Sequence, residues 1–278
     1  MATARDKPVR EKQLAYSEIQ ERMRDEEQRR QKARKILSVV RYHLGRDDLA
    51  GLTFLDVGCS LGWLVEAATV DGAHGVGVDI DEPGLAQARR ERDPRCTFLS
   101  TDGESLPFDD ESLDVVVFNH IYEHVVDPDL VMAELRRVLK PDGILYLGLG
   151  NRLGVIEPHY RLPFLSWLPG PVADRYVRAS GRADHYYERF RTRPGLRALL
   201  SGYHVWDYTL PVLTAPRMFA SDDIVPGPVS RAPHWALRAA MPLVPTYIWV
   251  ATTGPSRPAG PPLPLMPTPV PTRPRAAA

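Results

Sequence analysis

Thr53-Phe54-Leu55-Asp56-Val57-Gly58-Cys59-Ser60-Leu61-Gly62-Trp63-Leu64-Val65 decides the fold of this 278-residue chain. A short apolar run ends at Asp56 and is followed at once by Gly58, Cys59 and Gly62. Helix formers (Leu64, Val65, Glu66, Ala67, Ala68) then take over. The order describes a buried parallel strand turning sharply into a helix, with glycines where a bound group must approach the backbone. The spacing Asp-x-Gly-Cys-x-x-Gly is not the dinucleotide spacing Gly-x-Gly-x-x-Gly.

The segments beyond repeat the alternation. Gly75 to Asp79 is a second apolar strand ending in a carboxylate about 20 residues on, where doubly wound folds keep a ribose-binding acid. Such a group accepts from both ribose hydroxyls at once. Asp81-Glu82-Pro83 predicts a helix cap with proline in the first turn. A third strand, Thr97 to Ser100, leads into Thr101-Asp102-Gly103-Glu104. Leu113 to Phe118 reads as a fully buried strand, followed by Asn119-His120-Ile121-Tyr122-Glu123-His124. Asp127-Pro128 opens a helix that ends near the turn Lys140-Pro141-Asp142-Gly143, and Ile144 to Leu147 is the fifth strand. Alternation at this interval builds a parallel sheet with right-handed crossovers. The later cluster Gly148 to Gly154 follows the fifth strand, and its spacing is one residue too long for a dinucleotide loop.

In the order and spacing of these motifs, residues 36–150 resemble the class I S-adenosylmethionine-dependent methyltransferases, specifically their type 11-like domain family. The resemblance implies an α/β fold with a doubly wound seven-stranded sheet whose last strand is antiparallel. It also implies S-adenosyl-L-methionine as cofactor. In the family the glycine loop wraps the methionine half, which falls here on Asp56, Gly58, Cys59 and Gly62. By the same resemblance Asp79, with Ile80 beside it, takes the ribose. Asp102 takes the adenine amino group while Gly103 donates from its backbone, and Asn119 ends the cofactor set. Tyr203 to Tyr208 and Tyr247 to Ala251 are expected as the last two strands, the second of them antiparallel.

Composition narrows the function. Lysine plus arginine and aspartate plus glutamate are 35 each, so net charge gives no argument for nucleic acid. Two cysteines, Cys59 and Cys96, are too few for a disulfide framework and fit a reducing compartment. The N-terminus lacks the apolar core of a signal peptide, and no apolar run reaches the roughly 18 residues of a spanning helix. A soluble, cytoplasmic enzyme is expected.

Three segments surround the motifs. Residues 1–35 form a charged helical arm, read as solvated and docking at its C-terminal end, before a methyltransferase domain over 36–254. From Pro255 to Ala278 nine of 24 residues are proline, so a disordered tail visiting polyproline II is expected. Residues 151–192, dense in aromatics and histidines, and 213–245 are read as lid insertions over the C-terminal edge of the sheet.

Methyl transfer needs alignment more than covalent help, and a general base only for a poorly ionised acceptor such as a hydroxyl. Histidines titrate near neutrality, so His120, His124 and His159 are the candidates, with His159 and His124 preferred. The expected acceptor is a small molecule, a lipid-linked intermediate or a sugar, methylated on oxygen. Alternatives remain. The fold could bind the cofactor without turnover. Glu123 and His124 also resemble the O-methyltransferases of ubiquinone biosynthesis and those acting on small-RNA ends, some of which use a divalent metal; Glu123, His124 and His159 could then be ligands. His120-x-x-Glu123-His124 also matches a zinc-peptidase pattern, which requires a long helix.

Overall fold

The computed structural model describes residues 14, 17 and 25–272. Helix α1 (Glu26–Leu44) precedes β1 (Thr53–Val57), α2 (Trp63–Val70), β2 (His74–Asp79), α3 (Glu82–Glu91), β3 (Thr97–Ser100), β4 (Leu113–Asn119), α4 (Pro128–Val138) and β5 (Leu139–Gly150). Then come α5 (Gly170–Ala179), α6 (Arg193–Leu199), β6 (His204–Asp207), α7 (Thr209–Thr214), α8 (Gly227–Ser230), α9 (His234–Ala240), β7 (Thr246–Thr252) and β8 (Thr268–Val270).

The strands form one sheet in the order β3-β2-β1-β4-β5-β7-β6-β8. The first five are parallel neighbours, whereas β7 runs antiparallel to both β5 and β6. The order reverses beside β1, so the loops after β1 and β4 open a crevice at the carboxyl edge. Side chains of β4 alternate across the sheet. Val116 and Phe118 join the core under α4 and α6, while Val115 and Val117 join the core under α1. Burial on both faces explains why this strand carries no polar alternation.

Local chemistry sets the boundaries. Asp25 accepts from Gln28 N at the start of α1, Asp81 from Gly84 N at α3, and Asp127 from Asp129 N and Leu130 N at α4. Pro128 occupies the first turn of α4, as its sequence predicts. The expected turn Lys140–Gly143 is instead absorbed into β5 as an irregularity. Leu113 pairs with Leu139, but Val115 already pairs with Ile144.

Two expectations about the flanks are corrected. The boundary placed at residue 35 falls inside α1, which runs unbroken from Glu26 to Leu44 and buries Ala33, Ile36, Leu37 and Val40. Residues 255–272 are ordered and add an eighth strand. They pass behind α1, where Ala259 N donates to His43 O at 3.0 Å and Tyr42 Oη donates to Pro261 O at 2.5 Å. They then pair antiparallel with β6 through Thr268, Pro269 and Val270. Proline density misled the reading, because an edge strand and an extended strap both tolerate proline.

The insertion after β5 carries its own small core of Tyr160, Leu162, Leu165, Ala173 and Val177. Asn151 ties it to the second insertion, donating from Nδ2 to Pro242 O and Val244 O, both at 2.8 Å. Among the described residues no helix is long and apolar enough to cross a membrane.

Candidate active site

A cavity of about 870 Å³ opens at the crevice, within the size range of sites for small organic ligands. Its walls include Asp56, Gly58, Cys59, Asp79, Ile80, Asp102 and Asn119 on one side and His124, His159 and Glu188 on another. Of the cofactor residues named from sequence, Gly62 and Gly103 do not line it.

The glycine loop is built for close approach. Gly58 N and Cys59 N donate to Val78 O at 2.8 and 3.1 Å, pinning the loop to β2. Gly58 has φ 80°, and a Cβ there would lie 2.2 Å from Ile121 Cδ1. At Gly62, with φ 74°, a Cβ would meet the Phe98 ring at 2.5 Å. Each position requires glycine for its backbone and for its neighbour.

Asp79 closes the loop from below. Its Oδ2 accepts from Ser60 N at 2.7 Å and its Oδ1 from Asp81 N at 3.0 Å. Burial raises its pKa against these hydrogen bonds. Each carboxylate oxygen retains a lone pair for a further donor. Burial also pushes Asp56 up to about 7, with Lys32 opposing and Asp79 adding to the shift. Asp102 turns inward on itself, its Oδ1 accepting from Glu104 N at 3.1 Å, with Gly103 at φ 78° between them.

The opposite wall is a histidine–carboxylate cluster. His159 Nδ1 lies 2.8 Å from Glu157 Oε1, and Glu157 Oε2 accepts from Tyr160 N at 2.6 Å. His124 Nε2 faces His159 Nε2 at 3.1 Å. His120 Nδ1 lies 3.2 Å from Glu123 Oε1, while the other oxygen of Glu123, Oε2, is buried without a hydrogen-bond partner among the described residues. Burial opposes ionisation of Glu123, but the His120 hydrogen bond and the charges of His120, His124 and His159 outweigh it and hold the carboxyl at about 2. Burial likewise disfavours protonated His159, yet the Glu157 hydrogen bond and the charges of Glu188, Glu157 and Glu123 raise its pKa. Glu123, His124 and His159 each offer a ligand atom within 4.8 Å of the others.

The structure therefore brings His124 and His159 together and sets His120 against Glu123. Residues 120–126 form turns after β4, and His120 has φ 57°. The helix that the zinc-peptidase pattern requires is absent there. Sequence reasoning missed Glu157 as the partner of His159, and Arg29 and Lys32, which enter the cavity from α1. Glu157 had a signal in its placement two residues before His159. The two cations had none, lying among acids on what looked like a solvated face.

The cavity suits an adenosyl amino acid. Beyond its size and glycine cradle, the loop wall holds two stranded polar atoms, Ser60 Oγ and Trp63 Nε1, buried without protein partners among the described residues. Comparison with known proteins agrees. The Methyltransferase domain family matches residues 55–147. A protein named an uncharacterized methyltransferase from Mycolicibacterium vanbaalenii is 31% identical over 193 residues, covering 63% of this chain and 75% of that protein. A ubiquinone biosynthesis O-methyltransferase from Idiomarina loihiensis is 34% identical over 152 residues, 52% of this chain and 57% of that protein. The chain thus spans little more than half the length of that second relative. The crystal structure of an S-adenosylmethionine-dependent methyltransferase from Mesorhizobium loti shares the fold, with a TM-score of 0.51 and 20% identity over 74% of this chain and 92% of that one. By sheet order, glycine loop and these relationships, the chain belongs to the class I S-adenosylmethionine-dependent methyltransferases.

Proposed function

We propose that this enzyme methylates a hydroxyl oxygen of a small-molecule, lipid-linked or sugar acceptor, with His159 as general base. The observation that carries the reading is the Glu157–His159 pair, whose imidazole lines the cavity shared with the glycine loop while the carboxylate is buried behind it. A carboxylate on Nδ1 fixes the imidazole tautomer and leaves Nε2 to accept a proton. The ubiquinone-type name of some relatives supports oxygen as the accepting atom.

When bound, S-adenosylmethionine supplies a methyl group on a positively charged sulfur, open to in-line displacement. Gly58 would admit its methionine half to the loop that Gly62 helps to turn, flanked by Asp56, Cys59 and Asn119. Asp79, beside Ile80, would accept from the ribose on its remaining lone pairs, and Asp102, at the turn that Gly103 makes, would take the adenine. His159 Nε2 removes the acceptor proton as the new C–O bond forms and the methyl–sulfur bond breaks, its present contact with His124 Nε2 giving way to the acceptor hydroxyl. The insertions 151–192 and 213–245 act as the lid that excludes water. Alignment of this kind is worth roughly 7–11 kcal/mol, and the base a further factor of about 10²–10⁴.

A second reading, metal-assisted O-methylation, is favoured by the stranded Glu123 Oε2 beside two imidazoles. In that case Glu123, His124 and His159 would hold a divalent cation that lowers the pKa of the acceptor hydroxyl. Loss of turnover in EDTA, restored by magnesium or zinc, supports the metal; turnover indifferent to chelator supports the simple base. The oxygen assignment is tested by incubating a cell extract with enzyme and methyl-labelled cofactor, then locating the label by mass spectrometry. Label on nitrogen or carbon overturns it.

A further inference from the structure

The histidine side of the cavity is walled by the insertion after β5, through His159, Arg161, Arg182 and Glu188. Residues 151–192 carry seven arginines, no lysine and four carboxylates, in a chain whose formal net charge is zero. Two of those carboxylates, Glu157 and Glu188, are buried, so the exposed charge of the insertion is strongly positive. Two of its arginines reach the cavity rim.

Arg182 Nη1 donates to Tyr160 O, the carbonyl of the peptide that joins Tyr160 to Arg161. The N–H of Tyr160 is held in turn by Glu157 Oε2 at 2.6 Å. The turn is thus fixed from both sides, and it sets two guanidinium-bearing residues around one peptide. Neither makes an ion pair among the described residues, and the Arg161 side chain makes no hydrogen bond there either. Glu188, the carboxylate on the same wall, instead accepts from Tyr187 N at 3.2 Å. Arg161 also has φ 51°, a left-handed conformation that a bulky residue takes only where its surroundings impose it.

Like charges held close without a counter-ion repel, and beside a low-dielectric wall that repulsion is incompletely screened. An oxyanion between the two forks removes it, since guanidinium groups match carboxylate and phosphate in parallel pairs of hydrogen bonds. Position narrows the ligand further. Two residues separate His159 from Arg161, so their Cα atoms are at most about 7 Å apart. A molecule whose anion meets Arg161 therefore has its neighbouring atoms beside the imidazole.

Resting on the reading of His159 as base at the acceptor end, we propose that Arg161 and Arg182 bind an oxyanion of the acceptor, a carboxylate or a phosphate. The acceptor is then a hydroxylated acid or phosphate ester, with anion and reacting hydroxyl in one small molecule or headgroup.

The full-length enzyme, a cell extract and methyl-labelled S-adenosylmethionine test this. The labelled product should be retained on an anion exchanger at pH 8. Phosphatase treatment then separates the two sources: release marks a phosphate, and continued retention marks a carboxylate. Arg161→Gln should slow labelling at limiting extract by about 10–100-fold, with S-adenosylhomocysteine affinity by calorimetry within about twofold. Arg161→Lys should recover part of the loss. Inorganic phosphate should inhibit the wild type in competition with the extract, and Arg161→Gln severalfold less. Because the Arg161 side chain makes no bond in the fold, the substitution tests the charge and spares the turn. An uncharged labelled product, an unchanged rate in Arg161→Gln, or an equal loss of S-adenosylhomocysteine affinity overturns the proposal. Label on nitrogen or carbon in a retained product overturns the oxygen reading alone and supports the anion site.

Discussion

Glu157 Oε1 and His159 Nδ1 are 2.8 Å apart, with Glu157 almost fully buried, so the orientation of one imidazole is set from inside the insertion after β5. The same carboxylate holds Tyr160 N, which makes the Glu157-Pro158-His159-Tyr160 turn a rigid mount. A buried orienting group behind a histidine fixes which nitrogen carries the lone pair; here that is Nε2, which faces His124 Nε2 at 3.1 Å.

His159→Ala should lower turnover by about 10²–10⁴-fold while S-adenosylhomocysteine affinity stays nearly unchanged. Glu157→Gln should lower turnover through the same nitrogen, with the acceptor KM held. If His159→Ala instead raises KM and spares turnover, the imidazole shapes the pocket and is not the base.

Gly58→Ala should damage the loop. The added Cβ meets Ile121 Cδ1 at 2.2 Å on a backbone at φ 80°, a strain of about 1–3 kcal/mol before repacking. Thermal unfolding should show a lower Tm and calorimetry a weaker cofactor. A variant as stable and as tight-binding as the wild type would mean that the loop is looser than its contacts show.

Stability should fall in mild acid through His43. Burial lowers its pKa from 6.5 to about 4, and Nδ1 lies 2.9 Å from Tyr208 Oη. The unfolded chain takes up the proton first, so this contribution is complete above about pH 6.5 and is lost as pH falls toward 4. The total is at most about 3.5 kcal/mol, from roughly 1.4 kcal/mol per pKa unit. Denaturant unfolding of wild type and His43→Phe between pH 7 and 4.5 measures it. Identical pH slopes would refute the assignment.

Deleting residues 255–272 should expose the edge of β6 and the Tyr42 ring. Thermal stability should drop and light scattering should rise, because an uncovered strand edge recruits other chains. A truncated protein that scatters no more light and is equally stable would show the strap to be ornamental.

The motif-bearing half of the fold was legible because each strand ends in the residue that the next turn requires. Asp56, Asp79 and Asp127 report their positions through local chemistry, and the apolar run Leu113 to Phe118 admits little but a buried strand. The site residues that escaped depend on long-range packing. Lys32 lines the cavity on a helix docked by its buried face and by the Arg30 and Arg92 contacts with Trp63, packing between segments far apart in the chain. The strap from 255 to 272 escaped for another reason: proline counts register missing donors, and β6 needed only acceptors and an extended backbone along part of its edge.

The strap also changes what kind of object α1 is. Ala259, Pro261 and Met266 fasten Tyr42 and His43 from behind, more than two hundred residues after the helix is made. During synthesis α1 must wait with that flank uncovered until residues 259–266 emerge. The front of the helix meets the cavity at Lys32, so the latest-arriving segment braces the wall against which the ligand rests. Helix α1 and strand β8 thus behave as one clasp, set only when translation has passed residue 270.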